Sequence, residues 1–246
     1  MPTRQSVSFR RIDRRRRLRR TILCAAALVV LPVAAYRLAP DEERPADARG
    51  PQRPARSAAA VPSEGFTASS ASGKAQGKGP AMRWRVEVEQ GSGVDPEGAA
   101  RAVEAILGDR RGWIRNPAYG FRLAGRGEPV DFTVKIATPA TTDRLCEVVT
   151  PELIGETNCR VGHTVVVNLK RWQEGSPQFR GPVDEYRALI VNHEVGHELG
   201  HEHETCPGPG KPAPAMMQQI KGLLGCTSNA WPYTEDGTYL AGPRVP

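Results

Sequence analysis

The sequence predicts a single α/β (α+β) domain in which a sheet backs one long helix. Two stretches alternate between polar and apolar residues, as strands with one buried face do, and a third stretch is continuously β-branched. Two further stretches carry apolar residues at helical spacing. About 160 residues follow Met82, enough for one domain with a hydrophobic core. No internal repeat is visible.

The alternating and β-branched stretches predict three strands. In RWRVEVE (83–89) the apolar and charged residues fall on opposite faces. We therefore expect a half-buried strand whose charged side chains, including Arg85 and Glu87, lie on its open face. The stretch VDFTVKIA (130–137) alternates in the same way. In HTVVVNLKRW (163–172) the continuous β-branched run predicts a more buried strand.

Two helices are predicted, at 95–109 and 184–200. The first begins with Asp95 as a cap, followed by Pro at the first helical position, and Gly108 can end it. The second has apolar residues at helical spacing and ends at Gly200. Beyond this helix the chain is rich in Pro and Gly, and we expect only one helical turn there, around QQIKGLLG.

The N-terminal region divides into three segments by composition. Residues 1–20 are rich in Arg and predict a basic cytoplasmic segment. An uncharged apolar stretch follows, so residues 21–39 predict a signal anchor or a signal peptide, with the anchor favoured. Residues 40–80 are Pro, Ala, Ser, Gly and charged residues, which predict a disordered linker. The expected domain, 81–246, is then extracellular on a single membrane span, or secreted if the signal is cleaved.

The positive charge of the chain belongs to its N-terminus. The chain holds 34 Lys and Arg against 27 Asp and Glu. Residues 1–40 contain ten Arg and one acid, which leaves 24 bases and 26 acids elsewhere. The body of the protein therefore has no basic surplus for binding nucleic acid. We expect a monomer that contacts the membrane through residues 21–39.

Four cysteines lie in the expected domain, and an even number in an oxidising compartment suggests two disulfides. Of the three possible pairings, Cys146–Cys159 and Cys206–Cys226 are favoured because each closes a short, turn-rich stretch. The competing interpretation, a thiolate that binds a metal ion, is disfavoured by the histidine-rich stretch described next.

The stretch HEVGHELGHEH (193–203) contains four of the five histidines in the chain. Residues four apart lie on the same face of a helix, so His193 and His197 can bind one ion. Glu194 is rotated by about 100° from His193 and flanks the metal instead of binding it. That is the position of a general base for a metal-activated water. The pattern predicts Zn²⁺ as the cofactor.

A catalytic zinc site needs a third protein ligand. Gly200 can end the helix in a left-handed conformation and turn the chain back, so that His203 joins the site. His201 is the rival, but it directly follows the turn and has little room to swing back. Glu198, one turn after the expected base, either orients a ligand imidazole or is solvated, and we favour the second. His163 is expected to be structural.

The full pattern, H-E-x-x-H-x-x-G-x-x-H, resembles the signature of the metzincin clan of zinc peptidases. The resemblance implies a single zincin domain with a mixed sheet behind the zinc-binding helix. It also implies that His193, His197 and His203 are ligands and that Glu194 is the general base. Together with the export segment and the ending CPGPGKPAPAMMQQ…GC…NAWPY, the chain is also similar, over roughly residues 80–240, to an actinobacterial domain-of-unknown-function family of secreted metzincin-type proteins.

The resemblance also implies a methionine turn after the third ligand, and PAPAMMQQ (212–219) supplies it. Met216 is preferred to Met217 because it follows the Pro-Ala bend most closely, and its thioether would form an apolar floor under the site. Several metzincins carry a Tyr two residues later that assists the transition state, whereas this chain has Gln218. The candidates for that role in the C-terminal tail are Tyr233 and Tyr239.

The leading hypothesis is a secreted or membrane-anchored zinc-dependent peptidase that hydrolyses peptide bonds with zinc-activated water and Glu194 as general base. The expected partner is a peptide or protein substrate, which would lie extended along the edge strand above the helix. The alternatives are a non-catalytic, zinc-stabilised cell-surface binding module and a zinc amidase acting on cell-wall peptides.

Overall fold

The computed structural model describes residues 65–245, so the segments predicted at 1–20 and 21–39 lie outside the described residues. The described part is a mixed α/β domain with a mixed seven-stranded sheet and four α-helices, which confirms the predicted class. In this part of the chain no helix combines the length and the hydropathy that a membrane span requires.

The sheet has a parallel centre with antiparallel strands added to it. The strands are β1 (Phe66–Ala68), β2 (Gln76–Gly77), β3 (Ala81–Glu89), β4 (Gly120–Leu123), β5 (Phe132–Ala137), β6 (Cys159–Val161) and β7 (Thr164–Asn168). Their order is β2-β4-β3-β5-β7-β6, and β1 pairs with β3. Strands β4, β3, β5 and β7 are parallel, whereas β1, β2 and β6 pair antiparallel. The short strand β6 therefore forms an edge.

The helices are α1 (Pro96–Leu107), α2 (Pro139–Leu145), α3 (Leu169–Glu174) and α4 (Val183–Glu198). Helix α1 has the predicted cap, because the Asp95 carboxylate accepts from the backbone N–H groups of Glu97 and Gly98. Helix α4 corresponds to the helix predicted at 184–200. The turn expected near QQIKGLLG is a 3-10 turn at Gln219–Lys221.

The core lies between the sheet and the two longer helices. Helix α1 packs against β3 and α4, and α4 also packs against β7. Trp84 and Val86 of β3 and Val191 and Val195 of α4 are buried in the same apolar cluster. Burial of each such side chain contributes about 1.5–3 kcal/mol. The helix that carries the histidines is thus held on a rigid base.

The charged face of β3 is not open, so that prediction was wrong. Arg85 is 2% exposed and Glu87 is 3% exposed, because β3 is a central strand and both faces of the sheet are covered at this point. Glu87 lies 3.9 Å from the Arg85 Nη2 atom and 3.3 Å from Lys135 Nζ of β5. Buried charges persist when they are paired in this way.

Two boundaries also need correction. The linker predicted at 40–80 extends too far, because β1 and β2 are already part of the sheet. Near Ser69 the chain is fixed to α1, since the Glu97 carboxylate accepts hydrogen bonds from the Ser69 hydroxyl and the Ala71 backbone N–H. The strand predicted at 163–172 ends at Asn168, whose side chain accepts from the Lys170 backbone N–H and begins α3.

Candidate metal centre

Helix α4 ends in a Schellman turn that reverses the chain. Gly200 has φ +89°, the left-handed conformation that the sequence predicts. Its backbone N–H donates to the His197 carbonyl at 3.1 Å, and the His201 backbone N–H donates to the Gly196 carbonyl at 2.9 Å. These bonds satisfy carbonyls at the helix end and direct the following residues back toward α4.

The reversal brings His203 to His193 and His197, and we call these three residues the histidine cluster. Their candidate ligand atoms all lie within 4.8 Å of one another. The Nε2 atoms of His197 and His203 are 3.1 Å apart. Three imidazole nitrogens at this spacing form a ligand set that suits zinc.

Backbone carbonyls fix two of the rings. The His193 Nδ1–H donates to the Ala215 carbonyl, and the His197 Nδ1–H donates to the His201 carbonyl, both at 2.9 Å. Because a carbonyl can only accept, each Nδ1 carries the proton and each Nε2 keeps its lone pair for the cluster. Metal-binding histidines are typically oriented by such a bond from the other ring nitrogen.

The rings of the histidine cluster carry no positive charge that would repel a metal ion. Burial lowers the pKa of His193 to about 3, with the neighbouring His197 as a smaller cause. Burial also lowers the pKa values of His197 and His203. The three rings are therefore neutral at pH 7, which is the form that binds a metal ion. The donor set present thus fits zinc.

His201 is held away from the cluster. Its ring stacks on Trp113 with the ring centroids 4.2 Å apart, and its Nε2 lies 3.2 Å from the Tyr119 hydroxyl oxygen. Of the two candidates for the third ligand, the turn delivers only His203 to the other two rings. His201 contributes its backbone carbonyl, which orients His197.

Glu194 lies beside the cluster and is 5% exposed. Burial raises the pKa of Glu194 to about 8, and the positive charge of Arg160 acts in the opposite direction. A buried carboxyl with a pKa near neutrality is well placed to accept and return a proton. This position agrees with the predicted geometry, in which Glu194 flanks the ligands.

A cleft of about 320 Å³, which we call the metal cleft, opens at the cluster. Its lining residues are Asn158, Cys159, Arg160, His193, Glu194, His197, His203 and Gln218. Part of the lining comes from edge strand β6, and Gln218 belongs to the segment that follows the methionines. Glu194 also borders a smaller recess of about 50 Å³, which Leu189, Ile190 and Met217 help to line.

The two methionines have different positions. Met216 is buried in the main core, and a Cβ atom added at Gly196 of α4 would overlap its sulfur. Gly196 lies on the helix between His193 and His197, so Met216 packs against the turn that carries these two histidines. Met217 instead packs with Ala213 and Cys226 and borders the smaller recess.

Glu198 is not solvated, which corrects the favoured prediction. Its side chain is 3% exposed, and its Oε1 atom lies 2.7 Å from His163 Nδ1. Its Oε2 atom lies 3.9 Å from Arg160 Nε. Glu198 thus ties the end of α4 to the β6–β7 hairpin. His163, which was expected to be structural, is exposed and contacts this carboxylate.

Both favoured disulfides are present and flank the site. Cys146–Cys159 connects the end of α2 to β6, a wall of the metal cleft. Cys206–Cys226 closes the segment that follows His203 and contains the methionines. Each crosslink therefore restricts a segment that contributes to the cleft.

The tail tyrosines do not line the metal cleft. The Tyr239 hydroxyl donates to Glu204 Oε1 at 3.2 Å, and the ring packs against Tyr233 with centroids 5.2 Å apart. Gln218 does line the cleft, at the position two residues after Met216. The sequence does not predict that Arg160 lines the metal cleft, because the three-residue strand that carries it has no detectable periodicity.

The fold and site define a mixed α/β domain with a three-histidine centre and an adjacent buried glutamate. Residues 53–231 match the family described as "Protein of unknown function (DUF3152)", and the chain belongs to this family. No curated protein and no solved structure matches the chain.

Proposed function

We propose that the protein is a zinc-dependent peptidase of metzincin type, with a zincin arrangement of sheet and helix. The observation that carries this proposal is the convergence of three neutral imidazoles next to the buried carboxyl of Glu194. His193, His197 and His203 would hold the ion. When bound, zinc supplies a Lewis acid that polarises a carbonyl and makes water nucleophilic near neutral pH.

The protein residues have the following roles in this hypothesis. Glu194 accepts a proton from the attacking water and passes it to the amine that leaves. The carbonyls of Ala215 and His201 keep the rings of His193 and His197 in the tautomer that presents Nε2 to the cleft. No reorientation of these rings is then required during turnover.

Edge strand β6 offers a site for an extended substrate. β6 ends the sheet and pairs with β7 on one side only, so its outer edge can receive a peptide by strand addition. Cys159 and Arg160 of this strand line the metal cleft. A peptide bound there would pass the histidine cluster and Glu194.

The test is cleavage of an unfolded protein and of cell-wall peptides by the zinc-loaded full chain. We expect proteolysis that a chelator abolishes and added zinc restores. Glu194→Ala should keep the zinc but lower the rate by about 10²- to 10⁴-fold, the usual contribution of a general base. Glu152→Ala, at an exposed position on a 3-10 turn, is the matched control. Cleavage by Glu194→Ala at the wild-type rate would contradict the assignment of the base.

A zinc-stabilised binding module is the second candidate. It is favoured by one observation: the residues that line the metal cleft within 65–245 include no tyrosine hydroxyl to assist a transition state. Under this hypothesis the wild-type chain binds zinc and peptide but cleaves none of the substrates offered.

A further inference from the structure

The metal cleft has one strongly basic side chain among the described residues that line it. That residue is Arg160, in the middle of β6. The acidic residue of the lining is Glu194, which is buried, so the solvent-facing charge on this wall is positive. A cation at the mouth of a cleft attracts anionic groups and repels cationic ones.

The guanidinium is held in position but not covered. Arg160 Nη1 donates to the Gly162 carbonyl at 2.9 Å, and Nη2 donates to the His197 carbonyl at 3.2 Å. These bonds use two of the five N–H groups that an arginine carries. The side chain remains 35% exposed. The head group is therefore preorganised, with donors left over for a ligand.

The charge of Arg160 is only partly compensated within the protein. Glu198 Oε2 lies 3.9 Å from Arg160 Nε, which is too long for a hydrogen bond, and the same carboxylate contacts His163 Nδ1 at 2.7 Å. Glu198 is buried and is not one of the residues that line the cleft, so it leaves the guanidinium open to a ligand there.

A second cation, Lys221, contacts a residue of the lining. Lys221 Nζ donates to the side-chain oxygen of Gln218 at 3.0 Å, and Gln218 lines the metal cleft. Lys221 and Glu202 carry opposite charges, and both are exposed and outside the lining. Among the described residues that line the cleft, Arg160 is therefore the cation that a substrate can reach.

We propose that the metal cleft selects a substrate with a carboxylate next to the bond to be cleaved, and that Arg160 is the specificity-determining contact. This inference rests on the proposed peptidase function. Directly opposed residues of neighbouring strands have Cβ atoms about 5 Å apart, so a substrate residue opposite Arg160 can reach it. The planar guanidinium matches a carboxylate with two parallel hydrogen bonds. An Asp or Glu side chain or a free C-terminus supplies this group.

The test uses a set of short peptides that differ in the position of a single Glu. In a matched set, the isosteric residue Gln replaces that Glu. The peptides carry a C-terminal amide, and a separate neutral peptide is compared with and without a free C-terminal carboxylate. Binding is measured with zinc-loaded full-length Glu194→Ala, and cleavage with the wild type. Arg160→Gln removes the proposed contact. Arg126→Gln, at an exposed position outside the lining, is the matched control.

We expect the best-placed Glu peptide to bind about tenfold more tightly than its Gln partner, a modest gain for a partly exposed charged hydrogen bond. The preference should shrink at high salt, vanish in Arg160→Gln and persist in Arg126→Gln. Preference for the free C-terminus alone would identify the terminal carboxylate as the group recognised.

The two hypotheses fail separately. Peptide cleavage without a carboxylate preference, or with a preference that Arg160→Gln leaves unchanged, would overturn the role of Arg160 while the peptidase stands. Carboxylate binding that depends on Arg160, without cleavage of any peptide, would support the contact and overturn the peptidase.

Discussion

Glu87 and Glu194 are buried to nearly the same extent but have different surroundings. Glu87, on the central strand β3, lies between Arg85 and Lys135. Glu194, on α4, has three neutral imidazoles beside it, and among the described residues Arg160 is the cation that acts on its pKa. Two cations of the protein compensate the charge of Glu87. Glu194 instead lies beside a site where a bound cation would compensate its charge.

The comparison separates charged groups that are paired within the fold from a group that is available for chemistry. Opposite charges that neutralise each other leave little to react, and removing one partner of a buried pair destabilises the fold. A buried carboxyl next to unprotonated nitrogens has ligand and proton-accepting capacity that the protein does not use internally. Substitutions in the two regions should therefore affect different measurements.

The largest expected effect is on metal binding. His203→Ala removes one of the three nitrogens and should weaken zinc affinity by more than about 100-fold, since loss of even an orienting partner costs 10- to 100-fold. His201→Ala should retain the metal, because its ring packs on Trp113 and its backbone carbonyl is unchanged. Competition with a zinc-binding dye measures both. Metal loss in His201→Ala but not in His203→Ala would reverse the assignment.

A smaller effect, on the free energy of unfolding, is expected for a substitution in the sheet. Glu87→Gln keeps the shape of the side chain but removes the negative charge beside Arg85 and Lys135, and it should lower the free energy of unfolding by about 2 kcal/mol. Zinc affinity should not change. Denaturant titration measures the stability, with the exposed Glu152→Gln as the control. A change in zinc affinity would show that the two regions are coupled.

The elements with strong local signals could be predicted from the sequence. Asp95 and Gly108 bound α1 as predicted, and the glycine of the metal motif adopts its left-handed turn. Both disulfides follow the favoured pairing. In each case the determining physics is local: a cap, a glycine conformation or a short loop closure.

The features that escaped prediction depend on neighbours distant in sequence. Arg85 and Glu87 alternate with apolar residues as on an open face, and only the covering of a central strand buries them. Glu198 was predicted to be solvated, but the β6–β7 hairpin places His163 against its carboxylate. Arg160 gave no signal at all, because its strand is defined by pairing with β7 and by a disulfide.

The sharpest test of the comparison between Glu87 and Glu194 is the pH dependence of the free energy of unfolding, measured on the metal-free protein. Burial raises the pKa of Glu194 from 4.5 to about 8, so between these values the folded state keeps a proton that the unfolded state has released. Stability must then fall as pH rises through this window, by about 1.4 kcal/mol for each pH unit. Glu194→Gln has no such proton, so in the presence of a chelator its stability relative to wild type should increase from pH 4.5 to 8. Histidine titration affects both proteins equally and cancels. Parallel stability profiles would mean that Glu194 already has a partner within the protein, as Glu87 does, and the distinction between the two carboxylates would be lost.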